Sequence, residues 1–409
     1  MNLTRADRSL FTQWWFTVDR LQLTAVMALI AVGVVVSLAA SPSAALAKQL
    51  PAFYFVQRHL LFVAFGCLLI IALSLLSPTL IRRLALVVFA LCVAALLAVQ
   101  FWGVEANGSY RWLRFAGFSV QPSEIAKPAF VVLIAWAFAE SRRRSDMPAL
   151  SIAVGLYVVL ATLLILQPDI GQTILISLVW AALFVLAGLS LLWVAALIAL
   201  AAAGLVTAYL TLPYVKGRID AFIAGDIDPT SQSGQAYQSF VAGGFFGRGP
   251  GEGTIKTVLP DAHTDFIFAV IAEEYGVAAC LALVALFAII VFRGLARAIR
   301  ERDLRNRYAV TGLALLFGFQ ALINMGVNIG LLPTKGMTLP MISAGGSSIV
   351  GISITLGMLL ALSRRRPQAS QAYGAKAPSF QPSKHAGQDM QSRTGRPVAA
   401  GSGSAHRAR

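Results

Sequence analysis

The chain has 409 residues, 57% of them hydrophobic and 12% charged, with a mean hydropathy of +0.74. Soluble domains carry about 25% charged residues, so this composition excludes a soluble globular protein and indicates a polytopic membrane protein. The formal net charge of +15 does not imply a nucleic-acid partner, because most Lys and Arg fall in short loops between apolar runs, which is a topology signal.

A span needs about 20 apolar residues. Ten segments qualify, centred near 21–40, 59–77, 84–102, 123–140, 149–167, 172–188, 191–211, 266–292, 309–330 and 344–363. The first is preceded by a polar segment, residues 1–20, and its apolar run exceeds the 7–15 residues of a signal-peptide h-region. It therefore reads as an uncleaved span, despite the "SAALA" that follows it. Arg82 and Arg83 lie in the second loop, Arg142, Arg143 and Arg144 in the fourth, and six Arg between Arg293 and Arg307 in the eighth. Odd-numbered loops are less basic and hold Asp169, Asp220, Asp226, Asp228, Asp261 and Asp265. This bias predicts an all-α bundle of ten transmembrane helices with both termini cytoplasmic. Two odd loops are long, 103–122 and 213–265. The second contains Tyr237, Phe240, Phe245 and Phe246 and is expected to fold back onto the bundle. Residues 21–366 form the transmembrane domain. The tail, 367–409, has a composition that cannot bury enough apolar surface to fold. Cys67, Cys92 and Cys280 each sit inside an apolar run, which argues against a disulfide framework or a metal cluster.

Ionisable residues at membrane depth are expensive and mark functional candidates. In "QPSEIAKP" (Gln121–Pro128), Ser123 is a candidate helix cap. Glu124 and Lys127 are three apart and face one another, either as a structural ion pair or with Lys127 offered to an anionic group. In "LQPDIGQT" (Leu166–Thr173), Asp169 can cap the next helix. "LLPTKGMTLPMISAGGSS" (Leu331–Ser348) has the Pro and Gly content of a broken segment, tolerated only beside a wet cavity, and carries Lys335. The densest stretch is "LPDAHTDFIFAVIAEEYG" (Leu259–Gly276). There Thr264 or Asp265 can cap the eighth span. Glu273 falls about 80° round from Asp265 and about 12 Å deeper, with Glu274 on the opposite face. The two glutamates read as partners of polar groups in neighbouring spans, whereas Asp265 lies at the interface with access to both water and lipid. One exposed carboxylate with several cations on one face (Arg218, Lys127, Lys335, Arg111), and His263 in the same stretch, suits an anionic lipid-linked substrate. From chemistry alone, an enzyme and a transporter remain open.

"RWLRFAGFSVQPSEIAK", "QPDIGQT", "LPDAHTDFIFAVIAEE" and "GLLPTKGMTLPMISAGGSS" resemble, in order and position, the motifs of the shape, elongation, division and sporulation (SEDS) family. The resemblance covers about residues 20–363. The Thr-Lys-Gly of "LLPTKGMTLP" is closer to the family's division branch than to its elongation branch. It implies a ten-span inner-membrane polymerase of peptidoglycan glycan strands that uses lipid II, acts at the division septum, and works with a class B penicillin-binding transpeptidase and other divisome proteins. It further implies that Asp265 is the essential carboxylate, that Glu124 and Lys127 match the family's charged pair, and that Mg or Mn bridges the substrate diphosphate with no all-protein metal cage. The rival readings are a lipid II flippase, which needs polar groups along a path through the whole bilayer, and a non-catalytic division scaffold, which would not need Asp265.

Overall fold

The computed structural model describes residues 9–364, except 107–108, 116, 145, 189–190, 212, 214–215, 218, 221–230 and 334–335. A short helix α1 (Leu10–Thr17) leads into α2 (Arg20–Ala47), α3 (Tyr54–Leu75) and α4 (Pro78–Trp102). Strands β1 (Val104–Ala106), β2 (Ser109–Phe115) and β3 (Phe118–Val120) follow. Next come α5 (Pro122–Ser141), α6 (Ala149–Leu166), α7 (Ile170–Leu186) and α8 (Leu191–Thr211). After them stand α9 (Gln232–Gly243), α10 (Ile267–Arg300), α11 (Leu304–Asn328) and α12 (Gly346–Leu362). Among the described residues, seven helices are long and apolar enough to cross a membrane: α2 to α6, α10 and α11. Ile170–Leu186, Ala202–Thr211 (the end of α8) and Gly346–Leu362 are shorter apolar helices. The chain is a polytopic helical membrane protein.

Local chemistry sets several helix starts. Asp19 accepts the Gln22 amide at 3.2 Å, and Ser77 caps α4 with Pro78 behind it, where proline's missing N–H costs nothing. Asp169 accepts the Gln172 amide at the head of α7, as its sequence suggests. Ser123 does not cap α5: the cap position is Gln121 and carries no side-chain cap bond. The helix begins at Pro122, so Ser123 already lies inside it, past the position from which a side chain caps.

Helices α5 and α12 are buried along most of their length and form the centre of the bundle. Glycines let backbones approach there: a Cβ at Gly351 would overlap the Glu124 carbonyl, and one at Gly66 would overlap the Ser353 hydroxyl. Such small-residue contacts drive helix association where the surroundings are as apolar as the side chains. Helices α3 and α4 turn Leu61, Leu68, Leu86 and Leu91 outward, as lipid-facing surfaces do.

The loop before α5 is a three-stranded antiparallel meander in the order β1-β2-β3. The sequence reading did not separate these strands from loop. Each is short, and two of the three have only three residues, too few for a period-2 pattern to show.

The eighth predicted span is not one continuous helix. Gly276 has φ 78° and ψ 175° inside α10, dividing it after Tyr275. The groups this break frees are taken up by the large outer loop: Arg248 and Gly249 amides donate to the Glu273 and Glu274 carbonyls, both at 3.0 Å, and the Val277 and Ala278 amides donate to Gly244 and Phe245 at 3.0 and 3.1 Å. Backbone polar groups at membrane depth need such partners.

Candidate active site

Asp265 sits just before the broken helix. It does not cap it, and neither does Thr264: the cap residue is Phe266, without a side-chain cap bond, and the Thr264 hydroxyl donates instead to the Asp261 carbonyl. Among the described residues the Asp265 carboxylate makes no hydrogen bond or ion pair. Its backbone carbonyl accepts from Asn324 Nδ2 at 2.8 Å and Asn328 Nδ2 at 3.0 Å. Burial pushes its carboxyl up to about 7, Asp261 adds to that, and Arg111 opposes it. A carboxylate poised near neutral pH and not engaged by its own helix can take a proton.

The segment between α11 and α12 closes over this point. Ser343 donates its hydroxyl to the Thr264 carbonyl at 2.5 Å, and the Ala344 amide donates to the His263 carbonyl at 3.0 Å. A Cβ at Gly336 would stand 3.3 Å from Asp265 Oδ2, so the loop backbone passes against the carboxylate. His263 is buried and its ring lies 4.5 Å from that of Phe55. Burial, aided by the charge of Lys48, lowers its pKa to about 4, so it is a neutral imidazole at physiological pH.

Glu124 and Lys127 do meet, at 3.0 Å, and both are buried. Lys127 Nζ also donates to Gln172 at 2.7 Å and to Gln320 at 3.0 Å, and Gln172 Nε2 donates to Glu124 at 2.6 Å. Three acceptors satisfy an ammonium completely. The pair therefore ties α5, α7 and α11 together, while Glu124 Oε2 keeps no partner. Arg111 on β2 reaches the turn before α7, donating to the Gln167 carbonyl at 3.1 Å and the Pro168 carbonyl at 2.5 Å, with Asp169 at 3.9 Å. Arg218 and Lys335 lie outside the described residues.

Glu273 and Glu274 are buried structural groups whose partners come from the large outer loop, not from neighbouring spans. Glu273 accepts the amides of Thr254 (2.7 Å), Ile255 (2.8 Å) and Lys256 (3.1 Å). Lys256 pairs with Glu274 and donates to the Ala39 carbonyl of α2 at 3.1 Å. The sequence offered little warning of Lys256, an ordinary loop lysine in a polar stretch. Asn324, Asn328 and Gln320 were missed as well, although their four-residue spacing on an apolar helix is the signal that could have found them.

Among the described residues no three His, Cys, Asp or Glu side chains gather as a metal cage. Asp261 and Asp265 are close enough for one charge to raise the other's pKa. One or two carboxylates beside a diphosphate is the donor set Mg uses when substrate and water supply its other ligands.

Residues 19–368 match the cell cycle protein family that groups FtsW, RodA and SpoVE. A probable peptidoglycan glycosyltransferase FtsW of Caulobacter vibrioides is 44% identical over 371 residues, covering 90% of this chain and 95% of that protein. Its counterpart in Geobacter metallireducens is 34% identical over 355 residues, 85% of this chain and 95% of that protein. Among solved structures, a chain from work on the coordination of polymerization and crosslinking by a peptidoglycan synthase complex superposes with a TM-score of 0.71 at 29% identity, covering 87% of this chain and all of that one. The rod shape determining protein RodA of Thermus thermophilus gives 0.65 at 27% identity, over 85% of this chain and 97% of that one.

Proposed function

The chain belongs to the FtsW, RodA and SpoVE family of cell cycle proteins, and from that premise we propose that it is a peptidoglycan glycosyltransferase that polymerises glycan strands from lipid II during septal wall synthesis. The single observation that carries the chemistry is Asp265, a carboxylate not bound to its own helix and pushed up to about 7. The 4-hydroxyl of one lipid-linked sugar attacks the anomeric carbon of the disaccharide on another. The bond to its diphosphate breaks, Asp265 takes the hydroxyl proton, and undecaprenyl diphosphate leaves. Cations on the outer face, with Lys335 and Arg218 as the candidates, stabilise the leaving group. Asp261 is the residue that would help hold Mg or Mn at the diphosphate, which leaves Asp265 to take the proton. Such an ion, when bound, neutralises diphosphate charge.

The topology we infer is ten spans, seven long helices and three shorter ones, with both ends in the cytoplasm, where the basic loops gather. The protein then belongs to the inner membrane at the division site. The partner we expect is a class B transpeptidase, because the structurally similar chain comes from a complex that couples polymerization to crosslinking. The test is polymerisation of labelled lipid II by the purified full-length chain, alone and with its cognate transpeptidase. Glycan strands of several disaccharides are the expected product. Translocation of lipid II without any polymer would replace this reading with a transporter.

A further inference from the structure

One face of α11 carries Gln320, Asn324 and Asn328, spaced four apart and all buried. Each amide bonds across to one of the two segments that frame Asp265. Asn328 Nδ2 donates to the Asp265 carbonyl at 3.0 Å, while Asn328 Oδ1 accepts the Ala269 amide at 3.1 Å. Residues 265 and 269 are the carbonyl and amide that would close the first turn of an α-helix on each other. The Asn328 side chain stands where that bond would run: the Ala269 amide is shared between Asn328 Oδ1 and the Phe266 carbonyl, the latter at 3.0 Å, and does not reach residue 265. Asn324 Nδ2 donates to the Asp265 carbonyl at 2.8 Å and to the Met337 carbonyl at 2.6 Å. Gln320 Nε2 donates to the Thr338 carbonyl at 3.3 Å, and its oxygen accepts from Lys127 at 3.0 Å. The ladder thus runs from the Lys127 cluster to the backbone of residue 265, and it fixes residues 337 and 338 beside Gly336, which lies against the Asp265 carboxylate.

We propose that Gln320, Asn324 and Asn328 are positioning residues that hold Asp265 outside the helical ladder, so that its carboxylate stays free for the reacting hydroxyl. Had residue 265 closed its turn on Ala269, it would be the cap residue of the helix. Its carboxylate would then turn toward the unpaired amides there, as acidic groups at helix starts do. Inserting one amide into that bond keeps both backbone groups satisfied and moves the residue aside. The same donors lock the opposing loop, so carboxylate and loop keep one relative placement. The ladder touches backbone, not substrate. Its loss is therefore expected to slow the chemical step without weakening binding.

This inference rests on the polymerase reading, and the experiment separates the two. Asn324→Asp keeps the shape of the side chain and removes both donors. Gln320→Glu keeps the acceptor for Lys127 and removes only the donor to Thr338. Both variants of the full-length chain are assayed on labelled lipid II, and hydrogen exchange is followed in peptides covering 261–270 and 336–340. The expected result is faster exchange in those peptides, a kcat lowered about 10- to 100-fold, and a KM within about twofold of wild type. Unchanged exchange, or faster exchange with kcat unchanged, overturns the proposal. If Asn324→Asp does not accumulate in the membrane, Gln320→Glu decides alone by the same criteria. A wild-type chain that forms no polymer sinks the polymerase reading instead, and the exchange data still decide whether the ladder holds residue 265.

Discussion

Asp265 draws its reactivity from what surrounds it more than from its residue type. Asp261 raises its pKa, Arg111 opposes the rise, and desolvation dominates both. A base must be ionised to act, so the rate should fall about tenfold per unit as pH drops below about 7 and level off above it. His263, near 4, is already neutral across that range and leaves the limb to Asp265. Initial polymerisation rates across about pH 5.5 to 8.5 read this directly, and Asp261→Asn should move the limb to lower pH by removing one of the two causes of the rise. Asp265→Asn keeps size and polarity, so it should fold and reach the membrane yet lose on the order of 10²-fold or more in rate. Near-normal polymerisation by that variant would rule out Asp265 as the base. Asp265 was legible in the sequence because an aspartate next to an apolar run is costly and conspicuous. Its supports were only half legible: the four-residue spacing of Asn324 and Asn328 marks a polar face, but they act on backbone carbonyls and no residue pattern records which backbone group is the partner. Lys127 shows the opposite difficulty: its pairing with Glu124 followed from their spacing, but the two glutamines that complete its shell come from other helices.

At the scale of elements, the informative feature is the break in α10. A single glycine in an apolar run is a weak sign of interruption, so the sequence reads as one continuous span. What sustains the break lies far back in the sequence, in the glycine-rich turns of the outer loop, residues 244–249, that supply partners for residues 273, 274, 277 and 278. Two separate obstacles oppose any side chain at Gly276. Its φ of 78° is strained for an L-residue, and a Cβ would overlap the Phe245 carbonyl and the Gly247 amide, which are backbone atoms and cannot rotate away. Gly276→Ala should therefore destabilise the protein by about 2 kcal/mol or more and loosen the outer loop. Gly155→Ala on α6 is the control, since nothing lies within 4 Å of the added Cβ. Thermal unfolding in detergent, compared between the two, measures the difference. Equal melting temperatures would mean that the loop does not depend on the break.

For the whole molecule, the arginines on which the proposed topology rests also tie one end of the bundle together. Asp19, buried at the start of α2, accepts from Arg293 at 2.8 Å and from Arg297, both near the end of α10. Arg305 at the head of α11 reaches Glu140 of α5 at 2.5 Å. Arg364, just past α12, donates to the Thr17 hydroxyl at 2.9 Å. Charge counting by loop groups these residues on one side of the membrane but cannot pair them, because ion pairs join loops far apart in sequence. Asp19 is the member whose removal should matter most. Burial raises its pKa, but hydrogen bonds from Arg297, the Gln22 amide and Arg293, with the Arg297 charge, outweigh that and leave it lowered. A lowered carboxyl contributes its stability above the unfolded value of 3.8 and loses it as pH falls through the folded value. Asp19→Asn keeps the cap but leaves two arginines facing a neutral amide. Because the arginines are partly solvated, the expected cost is about 1–3 kcal/mol, below that of a wholly buried pair. At neutral pH the variant should melt several degrees lower than wild type, and that gap should narrow as pH falls below about 4, where the unfolded chain's Asp19 is protonated before the folded one, and close once pH passes below the folded value. A gap that stays constant from neutral to acid pH would show that the substitution acts through packing and not through the charge of Asp19.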